Sequence, residues 1–137
     1  MRHHDWPTRL QQTIKGASGR PFSWGELDCC LFVSDCCIAV CGVDPSGPYR
    51  GKYRSRRGAF AAVKRGHGSI EAVLDSHFDR IGPALAGRGD VCLFESPDGL
   101  CVGVLFAGEI WAMTPNGVSI TRARPTAYWR VDDVKSG

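Results

Sequence analysis

The sequence predicts an α+β domain in which N-terminal helices pack on a C-terminal antiparallel sheet of about five strands. Two observations support this fold class. An apolar run with helical spacing extends from Cys29 to Val40, and from Gly87 onwards short apolar runs alternate with turn sequences. The chain has 137 residues, which is long enough to bury a core. We therefore assign residues 1–137 to a single domain.

The most informative segment is the loop and helix around Cys29. Trp24 and Gly25 lead into Asp28, and an Asp carboxylate is a preferred N-cap for the free N–H groups of a first helical turn. The apolar run that follows predicts a buried helix that ends at the C-cap glycine Gly42. A thiol in the first turn lies at the positive end of the helix dipole, which favours the thiolate. Cys29 is therefore a candidate nucleophile, and the alternative is a small side chain packed against the sheet.

The remaining elements follow from spacing and from turn residues. Helical spacing predicts three short helices, over residues 7–15, 59–65 and 70–78. Gly16 is the predicted end of the first helix, and Ser69 is the predicted N-cap of the third. Residues 43–58 contain two prolines and three glycines and are predicted to form an irregular loop. Strands are predicted at residues 91–94, 100–106, 109–113, 118–121 and 127–131.

The composition is that of an ordinary globular protein, with 43% hydrophobic and 23% charged residues. No apolar run approaches the roughly 20 residues of a membrane-spanning helix. The N-terminal sequence lacks the apolar segment of a secretory signal. We therefore expect no membrane span, and synthesis and folding in a cytoplasm.

Basic residues cluster in the predicted loop and just beyond it. Because tyrosines interleave with them, nucleic-acid binding is one interpretation. No nucleic-acid-binding fold signature accompanies the cluster, so we expect no nucleic-acid partner. A solvated surface and a surface that docks on an acidic partner remain open. The residues assigned to partner binding are Arg50, Lys52, Tyr53, Arg54, Arg56 and Arg57.

The sequence contains seven cysteines, five of which lie between Cys29 and Cys41. An odd number of cysteines without a secretion signal argues against a disulfide framework. A metal- or iron–sulfur-binding module is an alternative, because several thiols lie near one helix face. Structural metal sites, however, use closely spaced pairs on turns, so we favour core packing and expect no metal and no cofactor. The thiols considered as ligands are Cys30, Cys37 and Cys41, with Cys92 or Cys101.

Four short motifs follow one another along the chain. Residues 28–33 read Asp-Cys-Cys-Leu-Phe-Val, residues 89–94 Gly-Asp-Val-Cys-Leu-Phe, residues 101–104 Cys-Val-Gly-Val, and residues 116–118 Asn-Gly-Val. In this order they resemble the NlpC-type cell-wall peptidases, which are papain-like cysteine hydrolases. The corresponding family motifs read Asp-Cys-Ser-Gly-Phe-Val, Gly-Asp-Leu-Val-Phe-Phe, His-Val-Gly-Ile and Ser/Asn-Gly-Val. The resemblance covers about residues 22–131 and implies a papain-like, NlpC-type fold with Cys29 at the nucleophile position.

The resemblance breaks at the catalytic base. Cys101 stands where the family has its base histidine, and residues 111–113, near the family's orienting polar residue, read Trp-Ala-Met. A thiol cannot hold the Cys29 proton near neutral pH as an imidazole does, because the pKa of a thiol is higher. The resemblance therefore implies a vestigial nucleophile position in a domain that has lost catalysis.

Small NlpC-like proteins also occur among the tail-tip proteins of tailed bacteriophages, and this chain looks similar to that branch. The similarity rests on Trp-Gly-x-x-Asp-Cys at residues 24–29, Gly-Lys-Tyr at 51–53 and Tyr-Trp-Arg-Val at 128–131. It implies a structural or assembly component of the distal tail of the virion, in contact with the hub or central tip protein. The alternative is a cysteine endopeptidase or amidase that cleaves peptidoglycan peptides during entry. Its base would come from His67, His77 or a neighbouring subunit.

Overall fold

The computed structural model describes residues 1–135, and in this part of the chain four α-helices and six strands form an α+β domain. The predicted fold class, with helices before an antiparallel sheet, is confirmed at this level. A short 3-10 helix, Gly47–Tyr49, lies between the second and third α-helices. The helices are α1 (Trp6–Ser18), α2 (Cys29–Cys41), α3 (Arg56–Gly66) and α4 (Ile70–His77). The strands are β1 (Asp79–Ile81), β2 (Val91–Ser96), β3 (Gly99–Phe106), β4 (Glu109–Thr114), β5 (Gly117–Thr121) and β6 (Ala127–Arg130).

All strand pairs of the sheet are antiparallel, and the strand order is β1-β6-β2-β3-β4-β5. The predicted strands at the C-terminal side are present, but β1 was not predicted. It has only three residues, two of them charged, and shows no alternating apolar pattern. The strand forms through its pairing with β6, in which Arg80 lies opposite Trp129, and its own sequence does not indicate this pairing.

Helix α2 passes through the core between α1 and the sheet. Phe32, Cys36 and Val40 are fully buried, so the helix is covered on more than one side, as its broad apolar stripe predicts. Both predicted caps are confirmed. The Asp28 side chain accepts the Leu31 N–H at the start, and Gly42 ends the helix in the left-handed region with φ of 81°.

Two predicted helix boundaries were wrong. Helix α1 does not stop at Gly16 but continues to Ser18, and the burial of Ala17 in the core accounts for the additional turn. Helix α3 begins at Arg56 rather than at residue 59, because the Ser55 hydroxyl caps it by accepting the Gly58 N–H. The predicted loop therefore ends before Arg56, and part of the basic cluster is helical.

The N-terminal segment is anchored to the sheet through Asp90, the second residue of the Gly-Asp motif. Arg2 places Nη2 2.7 Å from Asp90 Oδ1 and donates from Nε to the Val131 carbonyl. Asp90, itself 2% exposed, also accepts the backbone N–H groups of Val131 and Gly87. This aspartate thus joins the N-terminus, the start of β2 and the end of β6. No helix within residues 1–135 combines the length and apolarity needed to cross a membrane.

Candidate functional site

The Asp28 carboxylate organises the approach to Cys29. Its Oδ1 accepts the Leu31 N–H at 3.0 Å, and its Oδ2 accepts the Gly25 N–H at 3.0 Å and the Tyr53 hydroxyl at 2.7 Å. Asp28 is 1% exposed, so each of these hydrogen bonds lies away from solvent. The residue before the nucleophile position therefore joins the Trp-Gly loop, the first turn of α2 and the loop that precedes α3.

Gly25 permits the close approach of these two loops. Its φ is +82°, and a Cβ atom at this position would overlap the Tyr53 carbonyl oxygen. The Gly25 carbonyl also accepts the Gly51 N–H at 2.9 Å. Only glycine fits a left-handed backbone conformation with another backbone packed against it. The glycine of the Trp-Gly dipeptide is therefore required by the backbone packing, independently of any chemistry at Cys29.

Three half-buried thiols meet beyond the start of α2: Cys29, Cys30 and Cys101. The sulfurs of Cys29 and Cys30 lie 4.0 Å apart. Cys101 lies on β3, and its thiol is the strongest hydrogen-bonding partner that acts on the ionisation of Cys29. The structure therefore brings together the two residues assigned to the vestigial site, and it adds Cys30. The sequence indicates Cys30 only as a possible metal ligand and does not place it beside Cys29, because neighbouring side chains on a helix diverge.

The neighbouring thiols lower the pKa of Cys29. Hydrogen bonds from Cys101 and then Cys30 hold the pKa of Cys29 well below that of an ordinary thiol. Burial opposes this shift, and backbone contacts with Val102 and Cys30 support it. The same hydrogen bond to Cys29, followed by burial, raises the pKa of Cys101. The pKa shifts of these neighbouring thiols therefore run in opposite directions, downwards for Cys29 and upwards for Cys101.

His3 and His67 form hydrogen bonds with groups other than the Cys29 sulfur. The Tyr49 hydroxyl and His67 Nδ1 form a short hydrogen bond, and burial lowers the pKa of His77. The backbone N–H of His3 is bonded at the opposite end of α2 from Cys29. Among the described residues, the hydrogen-bond partners of the Cys29 sulfur do not include an imidazole.

Residues 111–113, where the NlpC resemblance places an orienting polar residue, also hold no group that could position a base. The Trp111 indole N–H donates to the Phe106 carbonyl at 2.9 Å. Ala112 and Met113 are buried side chains, one in each of two apolar clusters. These contacts complete the sheet packing, so the segment contributes structure rather than a second catalytic group.

A cavity of about 370 Å³ opens above the three thiols. It lies between the sheet and the helical side of the domain, and its walls are mostly apolar, with Trp24, Val73 and Leu100 among them. Arg56 and Phe60 of α3 lie at its exposed rim, near Asp98 in the β2–β3 turn. The site thus combines a thiol with a lowered pKa, two neighbouring thiols and a pocket large enough for a small organic molecule.

Sequence comparison supplies a family for this arrangement. A family model, described as a domain of unknown function (DUF6950), matches residues 1–131. The chain belongs to the DUF6950 family. No curated protein matches the sequence. Because the description of the DUF6950 family gives no activity, the chemistry of its site has to be inferred from the residues.

Two of the residues assigned to partner binding in this DUF6950 domain are held by intramolecular contacts. Tyr53 is 8% exposed and donates its hydroxyl to Asp28, so it cannot form part of a docking surface. Its burial depends on a partner 25 residues away along the chain, which no local pattern reveals. Arg50 pairs with Asp35 at 2.7 Å and with Asp44 at 2.8 Å, so its charge is largely compensated.

The other basic residues of the cluster are at the surface. Lys52 and Arg54 lie in the exposed part of the loop, and Arg57 lies in the first turn of α3. Arg56 is also exposed, and its guanidinium carbon lies 5.5 Å from the centre of the Phe60 ring. We use the name basic edge for Lys52, Arg54, Arg56 and Arg57.

The remaining cysteines belong to the interior of the DUF6950 domain. Cys36, Cys37 and Cys41 pack in the main core with α1 and the sheet, and Cys92 packs in a smaller cluster. Burial raises the pKa of Cys92 to about 12, which makes it an unreactive thiol at neutral pH. Within residues 1–135, no three His, Cys, Asp or Glu side chains are arranged to hold a metal ion.

Proposed function

We propose that this DUF6950 domain has a papain-like, NlpC-type fold that has lost hydrolysis and acts as a structural or assembly component of a bacteriophage tail tip. The observation that carries this proposal is that Cys101 on β3 lines the same cavity as Cys29 in the first turn of α2. In the NlpC-type peptidases, the position of Cys101 holds the histidine that activates the nucleophile.

The arrangement around Cys29 supports the fold part of the proposal. A thiol in the first turn of a buried helix packs against an antiparallel sheet, beside a strand that carries the base position. The Gly-Asp motif opens β2, and the Asn-Gly-Val motif lies where β4 turns into β5. These are the positions that the order of the four motifs implies.

The ionisation of the cluster supports the loss of hydrolysis. A cysteine hydrolase needs a group that takes the nucleophile's proton and later delivers a proton to the leaving amine. The pKa of Cys101 is raised, first by its hydrogen bonding with Cys29 and then by burial, and a thiol is a poor proton acceptor near neutral pH in any case. The described surroundings of Cys29 provide no other base among its hydrogen-bond partners.

The basic edge supports an assembly role. It is an exposed group of like charges on a chain with a net charge of +3. Such a surface steers association with an acidic partner and fixes its orientation, and a hub or central tip protein with an acidic face would match it. Because Tyr53 is buried and Arg50 is paired, these two residues are not part of the proposed contact.

Charge reversal of the basic edge in a phage genome tests this role. We expect Arg54→Glu/Arg56→Glu/Arg57→Glu to reduce the amount of the chain in purified particles at least about tenfold, since like charges facing each other at an interface cost several kcal/mol. The matched control is Arg122→Glu/Arg124→Glu, which reverses two exposed arginines beyond β5. Quantitative mass spectrometry of particles and circular dichroism of both purified variants provide the readout. Normal incorporation of the folded triple variant would contradict the proposal.

A cysteine endopeptidase or amidase that acts on peptidoglycan peptides is the second candidate. The lowered pKa of Cys29 and the cavity beside it favour this function, because both are features of a nucleophilic site. Purified chain incubated with muropeptides separates the two candidates. Cleavage that is present in the wild type and absent in Cys29→Ala would establish the hydrolase.

A further inference from the structure

Cys29 and Cys101 are distant in the sequence, but both line one open cavity together with Cys30. We propose that these two residues form a redox-active dithiol, which reacts with small carboxylate-bearing disulfides and closes to a disulfide between α2 and β3. This activity is independent of the tail-tip assignment. It depends only on the position of the two sulfurs and on access through the cavity.

Geometry selects Cys101, and not Cys30, as the partner of Cys29. Disulfides join residues whose Cα atoms are roughly 4.4–6.8 Å apart, whereas consecutive Cα atoms are about 3.8 Å apart. A link between Cys29 and Cys30 would therefore distort the first turn of α2. Cys101 lies on β3, a separate element that lines the same cavity, so the constraint on adjacent residues does not apply to it.

Cys29 is the thiol that attacks first. It lies in the first turn of a 13-residue helix, is half-buried beside the cavity and has a lowered pKa because of hydrogen bonds with its neighbouring thiols. The thiolate is the reactive form in thiol–disulfide exchange. Cys36, Cys37, Cys41 and Cys92 are buried and therefore not accessible to the same reagent.

The reaction balances in two exchanges. The Cys29 thiolate attacks one sulfur of the small disulfide, forms a mixed disulfide and expels the other half as a thiolate. Cys101 then loses its proton to the solvent or to the expelled thiolate, attacks Cys29 Sγ and releases the second half. The two protein thiols are oxidised by two electrons, and one small disulfide is reduced to two thiols.

The first exchange prepares Cys101 for the second. The hydrogen bond to Cys29 and the charge on Cys29 are both causes of the raised pKa of Cys101. Once Cys29 is part of a mixed disulfide, its sulfur no longer carries that charge. The Cys101 thiol then ionises more readily, beside the sulfur that it attacks.

The cavity indicates the class of reagent. Its volume of about 370 Å³ and its apolar walls suit a small molecule rather than a folded protein partner. Arg56 reaches from α3 across to Gly99 at the start of β3, so its guanidinium lies at the cavity rim. An arginine at this position would bind a carboxylate of the entering disulfide.

The test uses the reduced full-length chain and oxidised glutathione without oxygen. We expect intact-mass analysis to show the loss of two hydrogens, and non-reducing peptide mapping to identify a link between Cys29 and Cys101. Cys101→Ser should stop with one glutathione on Cys29, and Cys101→Ala provides the same test if the serine variant does not fold. Cys30→Ser should still form the link, whereas Cys29→Ser should form neither product. A wild-type chain that stays reduced, keeps the mixed disulfide or links Cys29 to Cys30 would overturn the proposal.

The role of Arg56 has its own control. Arg56→Ala should slow the reaction with glutathione disulfide about tenfold and leave the reaction with uncharged bis(2-hydroxyethyl) disulfide unchanged. Equal rates for wild type and Arg56→Ala with glutathione disulfide would overturn the recognition of carboxylates.

Discussion

Replacement of Asp28 by alanine is expected to lower the free energy of unfolding by about 3–7 kcal/mol. The change removes the N-cap of α2, which typically contributes about 1 kcal/mol. It also leaves the Tyr53 hydroxyl and the Gly25 N–H without their acceptor in a buried environment, at about 1–3 kcal/mol for each group. Urea denaturation followed by tryptophan fluorescence measures the loss.

Tyr53→Phe is the matched control for Asp28→Ala. It removes one hydrogen bond and leaves the cap and the Gly25 contact in place, so we expect a loss of only about 1 kcal/mol. The loss of stability for Asp28→Asn should lie between those of the other two variants, because an amide oxygen still caps a helix. An Asp28→Ala variant no less stable than Tyr53→Phe would show that this carboxylate does not hold the loops together.

Asp90→Ala is expected to cost a similar amount, about 3–5 kcal/mol, at the other end of the domain. The variant leaves the Arg2 guanidinium, which is largely buried, without its carboxylate, and it removes the acceptor of the Val131 and Gly87 N–H groups. Breaking one side of a buried ion pair is costly because the remaining charge stays uncompensated. Urea denaturation again gives the change in the free energy of unfolding.

Arg130→Ala distinguishes the contribution of the buried Arg2–Asp90 pair from that of the more exposed Arg130–Asp90 pair. Arg130 Nε lies 3.6 Å from Asp90 Oδ1, and the arginine side chain is 43% exposed. A solvent-exposed pair of this kind contributes at most about 1 kcal/mol. If Asp90→Ala were no more destabilising than Arg130→Ala, the proposed link between the N-terminus and the sheet would be wrong.

The sequence predicted the helix caps correctly, because a cap depends only on residues near the end of its helix. Asp28, Gly42 and Ser69 cap their helices as predicted, because capping involves only the neighbouring residues. Gly16 did not end α1, since burial of the following turn outweighs the helix propensity of one glycine. Strand β1 depends on pairing with β6 and was missed.

The candidate site shows the same division. Cys29 was identified from its position in a helix, and Cys101 from a motif that resembles a known family. The participation of Cys30 and the burial of Tyr53 result from contacts between distant elements, which a single sequence does not contain. The same applies to Arg50, whose partners are Asp35 and Asp44.

Thiols, and not an imidazole, lower the pKa of Cys29 in this structure. The most direct measurement is the rate of Cys29 alkylation by iodoacetamide as a function of pH, followed by peptide mapping. Because the pKa of Cys29 is lowered, the thiolate should persist as the pH falls below about 8.5, the ordinary pKa of a thiol, and disappear only at lower pH. Cys101→Ala removes a donor and should shift this step to higher pH, whereas His67→Ala and His77→Ala should leave it unchanged. A step that is insensitive to Cys101→Ala and lost on substitution of a histidine would contradict the account.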